Sequence, residues 1–109
     1  MMDYTVEFTQ PAEIDLIGIY TYIADTLKAP QAASRIYASI KQEITTLSTN
    51  PERHQVIDEP PYESQGIRKL FVENYVAFYV ADKEKRSVSI LRILYNRREW
   101  QSILGSDRK

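Results

Sequence analysis

Cysteine is missing from this sequence, and histidine occurs only once, as His54. The absence of cysteine excludes disulfides, thiolate zinc sites and cysteine nucleophiles, and a single histidine excludes a histidine-rich metal site. Carboxylates are plentiful, with 15 aspartate and glutamate residues, but none of them form a cluster organised for Mg²⁺. We therefore predict a protein that uses no metal and no other cofactor.

Long apolar runs are missing as well. No segment approaches the roughly 20 apolar residues that cross a bilayer, and the chain starts Met1-Met2-Asp3-Tyr4 without a basic segment or an apolar signal core. These absences predict a cytoplasmic protein with no membrane contact. The 109 residues, 43% hydrophobic and 27% charged, have the size and composition of one globular domain, which we assign to residues 1–109.

Positive charge is scarce in the first part of the chain. Residues 1–67 carry 4 basic and 10 acidic side chains, and residues 68–109 carry 10 basic and 5 acidic ones, which gives net charges of −6 and +5. The overall net charge of −1 argues against a general nucleic-acid binder. The clustering of Arg92, Arg97 and Arg98 indicates one cationic face on an acidic protein.

Apolar periodicity predicts an α+β fold with the order β-αα-βββ-α. Residues 4–8 alternate as a strand, Pro11 opens a helix whose apolar stripe runs to Leu27, and Pro30 opens a second helix that ends before Pro51. Strands follow at residues 67–72, 75–81 and 87–95, the last apolar on both sides and therefore central. A short helix at residues 98–104 closes the chain. The two long helices form a hairpin packed on a small, mostly antiparallel sheet.

The segment of residues 51–66 shows no period and is predicted to be a loop. Loops of this length in a compact domain are uncommon and often functional. Within it, His54 is predicted to be a solvated histidine and Tyr62 an exposed tyrosine. Arg92 alternates into an apolar strand, which predicts a buried arginine paired with a carboxylate of a helix.

Several segments, taken together in this order, resemble the RelE/ParE superfamily of toxins from type II toxin–antitoxin systems. They are Ile19-Tyr20-Thr21-Tyr22-Ile23, Ala32-Ala33-Ser34-Arg35-Ile36, Leu47-Ser48-Thr49-Asn50-Pro51, Ile67-Arg68-Lys69-Leu70, Asn74-Tyr75-Val76-Ala77-Phe78-Tyr79 and Ile90-Leu91-Arg92-Ile93-Leu94-Tyr95-Asn96-Arg97-Arg98-Glu99-Trp100. The resemblance covers nearly the whole chain. It implies growth inhibition or plasmid stabilization by a toxin that a cognate antitoxin protein keeps silent, with operator DNA contacted only through the antitoxin complex.

The resemblance leaves two alternative targets. Nuclease members cleave messenger RNA on the ribosome, which would make this chain an mRNA interferase that needs cations around a phosphate and a group to move a proton. The catalytic candidates under this alternative are Arg97, Arg68 and Tyr95. The nuclease pattern, however, places an arginine after the aromatic residue that opens the middle strand, and here Val76 follows Tyr75.

Gyrase-directed members share the fold and the helical hairpin, lack the catalytic set and are not enzymes. The hairpin and Val76 favour this ParE-like branch, a poison of DNA gyrase. Arg97, Arg98 and Trp100 are then the target-binding residues, because arginine and tryptophan are the side chains most enriched at binding hot spots. A third alternative is a non-toxic interaction module, such as a decayed toxin.

Overall fold

The computed structural model describes residues 3–57 and 62–96. Its elements are β1 (Thr5–Phe8), α1 (Gln10–Thr21), α2 (Pro30–Thr45), α3 (Tyr62–Gln65), β2 (Arg68–Val72), β3 (Tyr75–Asp82) and β4 (Ser87–Tyr95). The helices α1 and α2 pack on a mixed four-stranded sheet, which confirms the predicted α+β fold. The helix predicted at residues 98–104 lies outside the described residues.

The sheet has the strand order β1-β4-β3-β2, so β4 lies in its interior, as predicted. β1 runs parallel to β4, whereas β3 runs antiparallel to both β4 and β2. A tight turn at Glu73 and Asn74 joins β2 to β3, and Glu73 adopts a left-handed φ of 57°. The first strand of the chain is therefore held beside the last described one.

Both long helices carry a proline in their first turn. Pro11 lies in the first turn of α1 and Pro30 in the first turn of α2, where the missing N–H group removes no hydrogen bond. Thr9 caps α1, because its hydroxyl accepts a hydrogen bond of 3.3 Å from the Ala12 N–H. The two helix starts predicted from sequence are thus confirmed.

The end of the first helix differs from the prediction. α1 ends at Thr21. The chain then forms one π-helical turn, Tyr22–Thr26, which is closed by a hydrogen bond of 3.0 Å from the Leu27 N–H to the Tyr22 carbonyl. A π turn contains more residues than an α turn and therefore rotates the residues that follow it. Leu27 is 55% exposed as a result, and its assignment to the buried stripe was wrong.

Two apolar cores lie on the two sides of the sheet. The core beneath the helices, termed the helix-side core, consists of Ala12, Leu16, Ile40, Ile44, Leu47, Leu70, Val72, Ala77, Tyr79, Val88, Ile90 and Ile93. The second core consists of Ile57, Tyr62, Ile67, Val76, Phe78 and Leu94. Side chains of β3 alternate between the two cores, as the pleat of a strand requires.

The described residues 51–57 and 62–66 are more ordered than predicted, and Ile57 and Tyr62 among them cover the second core. Pro51–Arg53 forms a 3₁₀ turn, Val56 makes an antiparallel bridge with Arg68, and α3 follows. Tyr62 is only 7% exposed, so its predicted exposure was wrong. The reason is that α3 places this ring within the second core, which the local sequence, having no apolar period, does not reveal.

Candidate functional site

The C-terminal end of β4 extends beyond its neighbour β1. β1 pairs with β4 only as far as Phe8 and Ile90, whereas β4 continues to Tyr95. Past this point α1 lies along the edge of β4 in place of a strand. The Thr9 hydroxyl donates to the Ile90 carbonyl at 2.8 Å and to the Leu91 carbonyl at 3.1 Å, which fixes the start of α1 against β4.

Asp15 of α1 continues this attachment. Its Oδ2 atom accepts hydrogen bonds from the Ile93 N–H at 2.9 Å and from Arg92 Nε at 2.6 Å, and its Oδ1 atom accepts one from Arg92 Nη2 at 2.9 Å. The Arg92 and Asp15 side chains are only 17% and 12% exposed. This two-pronged charged pair confirms the predicted pairing of Arg92 with a helical carboxylate, at a partly buried position, and fixes the position of α1 relative to the sheet.

A groove with a volume of about 1100 Å³ opens beside this pair, and we term it the α1–β4 groove. Its walls include, from α1 and the π turn, Ile14, Gly18, Tyr22 and Ile23; from α2, Ala32, Arg35 and Ile36; and from the sheet, Tyr75, Ile93, Leu94 and Tyr95. The four charged side chains of the groove form two pairs, Asp15 with Arg92 and Arg35 with Glu73 at 3.1 Å. The groove is therefore apolar and carries no net charge.

Large apolar side chains at this groove remain exposed to solvent. Ile14 is 61% exposed, Leu27 55%, Tyr22 53% and Tyr95 41%. A cluster of this kind on a small protein marks a surface that another molecule covers. The groove therefore exposes both aromatic and aliphatic side chains.

Tyr95, one of the catalytic candidates, stands at the groove against a second tyrosine. The rings of Tyr75 and Tyr95 meet edge to face, with centroids 5.6 Å apart. Burial, reinforced by Tyr95 and Tyr22, raises the pKa of Tyr75 above its usual value. The Tyr75 hydroxyl therefore resists ionisation more strongly than an exposed tyrosine does.

Arg68, another catalytic candidate, holds residues 51–54 to the sheet. Its Nη1 atom donates to the Glu52 carbonyl at 3.0 Å and to the His54 carbonyl at 2.7 Å. The Tyr79 hydroxyl donates to the Pro51 carbonyl at 2.6 Å, and burial raises the pKa of Tyr79 to about 12. These three carbonyl contacts form what we term the carbonyl clamp.

His54 is less solvated than predicted. Its Nε2 atom is buried and has no hydrogen-bond partner among the described residues, and its ring lies edge-on to Tyr79 with centroids 6.4 Å apart. Burial, followed by the charge of nearby Arg53, lowers the pKa of His54. The carbonyl clamp explains the error, because the bond from Arg68 to the His54 carbonyl draws this residue against the sheet.

The two described catalytic candidates lie far apart. Arg68 pairs across the sheet with Tyr79, and Tyr95 pairs with Tyr75 on the other side of β3. Four residues along a strand and two strand spacings separate the Cα atoms of Arg68 and Tyr95 by roughly 16 Å. Arg97, Arg98 and Trp100 lie outside the described residues, which end at Asn96 beside the groove.

Val76 occupies the position at which the resemblance leads us to expect a nuclease arginine. Its side chain is 1% exposed and belongs to the second core, and it pairs across the sheet with Leu94 and Phe71. A side chain there faces the interior on the side of the sheet that Ile57 and α3 cover. The valine is thus a structural residue of the second core.

Asp15 and Gly18 line the groove but were not identified as site residues from the sequence. The signal for Asp15 was a carboxylate between Ile14 and Leu16 in an otherwise apolar helix.

Within residues 3–57 and 62–96, no group of three or more histidine, aspartate or glutamate side chains is arranged to hold a metal ion. The helices of this part of the chain are all too short or too polar to span a membrane.

Comparison with known families gives one match over most of the chain. Residues 6–100 match the family described as the ParE toxin of the type II toxin–antitoxin system, parDE. The protein therefore belongs to the ParE toxin family, within the RelE/ParE superfamily. A comparison with curated proteins gives no match.

Solved structures share the fold. A chain of the chromosomal ParDE toxin–antitoxin system from P. aeruginosa has a TM-score of 0.69 and 22% identity, with 84% of this chain and 95% of that chain covered. A chain of the toxin–antitoxin complex RelBE2 from Mycobacterium tuberculosis has a TM-score of 0.64 and 27% identity over 86% and 99%. The archaeal RelE–RelB complex from Pyrococcus horikoshii gives 0.58 and 17% over 89% and 99%. The fold is thus that of RelE/ParE proteins.

Proposed function

We propose that this protein is a growth-arresting toxin that poisons DNA gyrase and is held silent by a cognate antitoxin. Membership of the ParE toxin family supports the toxin role. The similar chains from P. aeruginosa and M. tuberculosis come from toxin–antitoxin assemblies, which supports an antitoxin partner. The choice of gyrase over messenger RNA rests on the chemistry of the described residues.

The buried Val76 is the observation that carries this choice. Cleavage of RNA by its own 2′-hydroxyl builds negative charge on the phosphate, and fixed cations at that point are usually the largest catalytic contribution. Valine carries no charge, and its 1% exposure leaves no access for a phosphate. Val76→Arg would bury a guanidinium in the second core, so a single substitution at this position would not rebuild a nuclease site.

The arginines of the described residues already have partners within the chain, so none of them is held ready for a phosphate. Arg35 pairs with Glu73, Arg92 pairs with Asp15, and Arg86 lies over the Tyr4 ring at 5.4 Å. The remaining two are Arg53, which donates to the carbonyls of Thr46, Thr49 and Asn50, and Arg68 of the carbonyl clamp. Using Arg68 as a catalytic cation would break two of the three contacts of the carbonyl clamp, a cost that a preorganised site avoids.

Target binding is proposed for Arg97, Arg98 and Trp100. These residues follow directly after Asn96, whose N–H donates to the Asn74 carbonyl at 2.9 Å beside the α1–β4 groove. Arginine and tryptophan combine large contact areas with charge or a hydrogen-bond donor, which suits them to a protein target. Arg97 is also the residue of the nuclease pattern that this chain keeps, so it is informative under either target.

The deciding experiment compares the two targets directly. The purified chain is added to gyrase with relaxed plasmid, and separately to ribosomes programmed with messenger RNA. We expect loss of supercoiling with accumulation of cleaved DNA, and intact message. Message cleavage without an effect on gyrase would reverse the assignment, and no effect on gyrase, message or bacterial growth would favour a non-toxic interaction module.

The contact residues are tested by growth arrest after induction of the chain alone. Arg97→Ala combined with Arg98→Ala should abolish arrest and leave the circular dichroism spectrum unchanged. Lys83→Ala combined with Lys85→Ala is the matched control, because it also removes two positive charges at an exposed turn, where the one ion pair lost is the exposed pair of Lys83 with Glu52 at 3.4 Å. Arrest that survives the arginine substitutions, or is lost equally in the control, would remove the role assigned to Arg97 and Arg98.

A further inference from the structure

The helix α1 is apolar on two opposite faces. On one face, Ala12 and Leu16 are buried in the helix-side core. On the face turned away from the sheet, Ile14 and Ile17 are each 61% exposed. A helix that covers a core normally presents polar residues to the solvent, and the exposed residues of α2 are polar or small, including Ser34, Ala38, Lys41 and Gln42. The outer face of α1 therefore has the composition of a surface that another protein covers.

Four exposed residues form one row along this face, and we term it the outer row. They follow one another at spacings of four, three and four residues, as Gln10, Ile14, Ile17 and Thr21. This is the spacing of the contact positions in a coiled coil of two helices.

The outer row is complementary to a reversed copy of itself. If a second copy of α1 packs on it with the opposite chain direction, the first residue of one row meets the last residue of the other. Gln10 then lies opposite Thr21 of the second copy, and Ile14 lies opposite its Ile17. Polar residues meet polar residues and isoleucines meet isoleucines in both halves, as a two-fold symmetric contact requires.

The residues beside the outer row also permit this contact. Glu13 and Tyr20 flank the row on one side, and Pro11 and Gly18 flank it on the other. In the reversed arrangement Glu13 faces Tyr20 of the second copy, and Pro11 faces its Gly18, so no two like charges meet. A Cβ atom added to Gly18 would touch nothing within 4 Å, so a second helix can approach closely on that flank. The row itself is uncharged, which favours a copy of this chain over a strongly acidic or basic partner.

We propose that two copies of this protein associate through the outer row of α1, packed antiparallel about a two-fold axis between Ile14 and Ile17. This goes beyond the proposed function, because it involves neither gyrase nor the antitoxin. Two isoleucines per copy bury far less than the roughly 800 Å² per partner of a stable complex, so the Kd of the dimer should be about 10 to 100 μM.

The first test measures the mass of the purified full chain by sedimentation at concentrations from about 5 to 500 μM. We expect the mass to rise with concentration from 12.7 kDa towards twice that value. Ile17→Asp should raise the Kd at least about 100-fold and leave a monomer, because it places an unpaired carboxylate in each half of the contact. Circular dichroism establishes that the variant folds.

Phe71→Asp is the matched control. Phe71 is also a large apolar residue, 54% exposed, and its neighbours Leu70 and Val72 face the helix-side core, so Phe71 faces away from the helices. This variant should form dimers as the wild type does. A wild-type chain that stays a monomer, or a dimer that Phe71→Asp weakens as much as Ile17→Asp does, would overturn the proposal.

The second test uses the absence of cysteine from the chain. Ile14→Cys and Ile17→Cys, one of them isotopically labelled, are mixed and oxidised, and the linked dimers are analysed by mass spectrometry. We expect disulfides mainly between the two different variants, because only these positions lie opposite each other. Phe71→Cys should not link to either variant. Linkage mainly within each variant would indicate parallel helices and contradict the proposed arrangement.

Growth arrest and antitoxin binding by Ile17→Asp identify the other possible occupants of the outer row. A wild-type chain that stays a monomer, with growth arrest lost in Ile17→Asp, would assign the row to the toxin's target. The same monomer with antitoxin binding lost would assign the row to the antitoxin. Both results overturn the dimer and leave the proposed function standing, whereas a dimer that fails to arrest growth would overturn the proposed function alone.

Discussion

The two sides of the central sheet are covered in different ways. On one side, α1 and α2 cover a core of 12 buried residues with apolar stripes at helical spacing. On the other side, Ile57, next to the bridge of Val56 with Arg68, and the four-residue helix α3 cover a core of six. The first cover is held by side-chain burial distributed over long helices. The second rests on a short stretch of chain that is attached to β2 by the bridge between Val56 and Arg68. The carbonyl clamp, whose Tyr79 belongs to the helix-side core, holds the residues just before that stretch.

The largest expected effect comes from a matched pair of isoleucines. Ile40, on the buried face of α2, is 0% exposed, and Ile57 in the second core is 1% exposed. Replacing either isoleucine by alanine therefore removes the same buried groups. We expect Ile40→Ala to lower the free energy of unfolding by about 4 kcal/mol and Ile57→Ala by about 2 kcal/mol. The difference arises because a short segment can settle into the space, whereas a helix of 16 residues cannot move without disturbing its other contacts.

Urea unfolding of the two variants measures this difference. Equal losses would mean that residues 51–66 are as rigid as the helices, and the contrast between the two covers would disappear. An intermediate with the helices intact in Ile57→Ala would sharpen the contrast, because it would show that the second cover detaches separately.

A smaller effect is expected at the carbonyl clamp. Tyr79→Phe removes the hydrogen bond of 2.6 Å to the Pro51 carbonyl and leaves that buried acceptor unpaired, which should cost about 1 to 2 kcal/mol of unfolding free energy. Tyr20→Phe is the control. Tyr20 is 37% exposed, so removal of its hydroxyl leaves no buried group without a hydrogen-bond partner. Faster proteolysis after Arg53 in Tyr79→Phe alone would locate the effect in the clamp. A loss equal to that of the control would contradict the clamp.

The smallest effect is a dependence on pH. Burial lowers the pKa of His54 in the folded chain below its ordinary value of 6.5, so as pH falls through that value the unfolded chain binds a proton that the folded chain resists. Stability is therefore full above this pH and declines below it. Arg53 and Arg68 act in the same direction as burial, and Glu43 opposes them. His54→Phe should reduce the loss of stability between about pH 7.5 and pH 5.5 in urea unfolding; an unchanged loss would exclude His54 as its source.

The same contrast explains how much of the fold could be predicted. Pro11, Pro30 and the apolar stripes predicted the two helices, and alternation predicted the strands, because in these elements burial follows a local period. The burial of Tyr62 and the position of His54 follow instead from contacts with β2 and β3. Such contacts have no local period, so the segment looked like a loop.

The candidate site was predicted in part for a similar reason. An arginine in an apolar strand implied a helical carboxylate for Arg92, but Asp15 lies 77 residues away and could not be named. Arg68 was a reasonable catalytic candidate by charge alone. Its role in the carbonyl clamp depends on the path of residues 51–54, which the sequence does not specify.

The pairing of the first strand with the last described one also governs when the molecule can form. β1 finds its partner only in β4, and the bond from Thr9 to Leu91 joins residues 82 positions apart. Contacts between such distant residues form late, after the intervening chain has been ordered. During synthesis, β1 and α1 leave the ribosome long before β4 exists, so the sheet of the newly made protein is complete only after β4 has been translated. Throughout that interval β1 has no partner strand of its own sheet, and Thr9 has no main-chain carbonyl of β4 to bind.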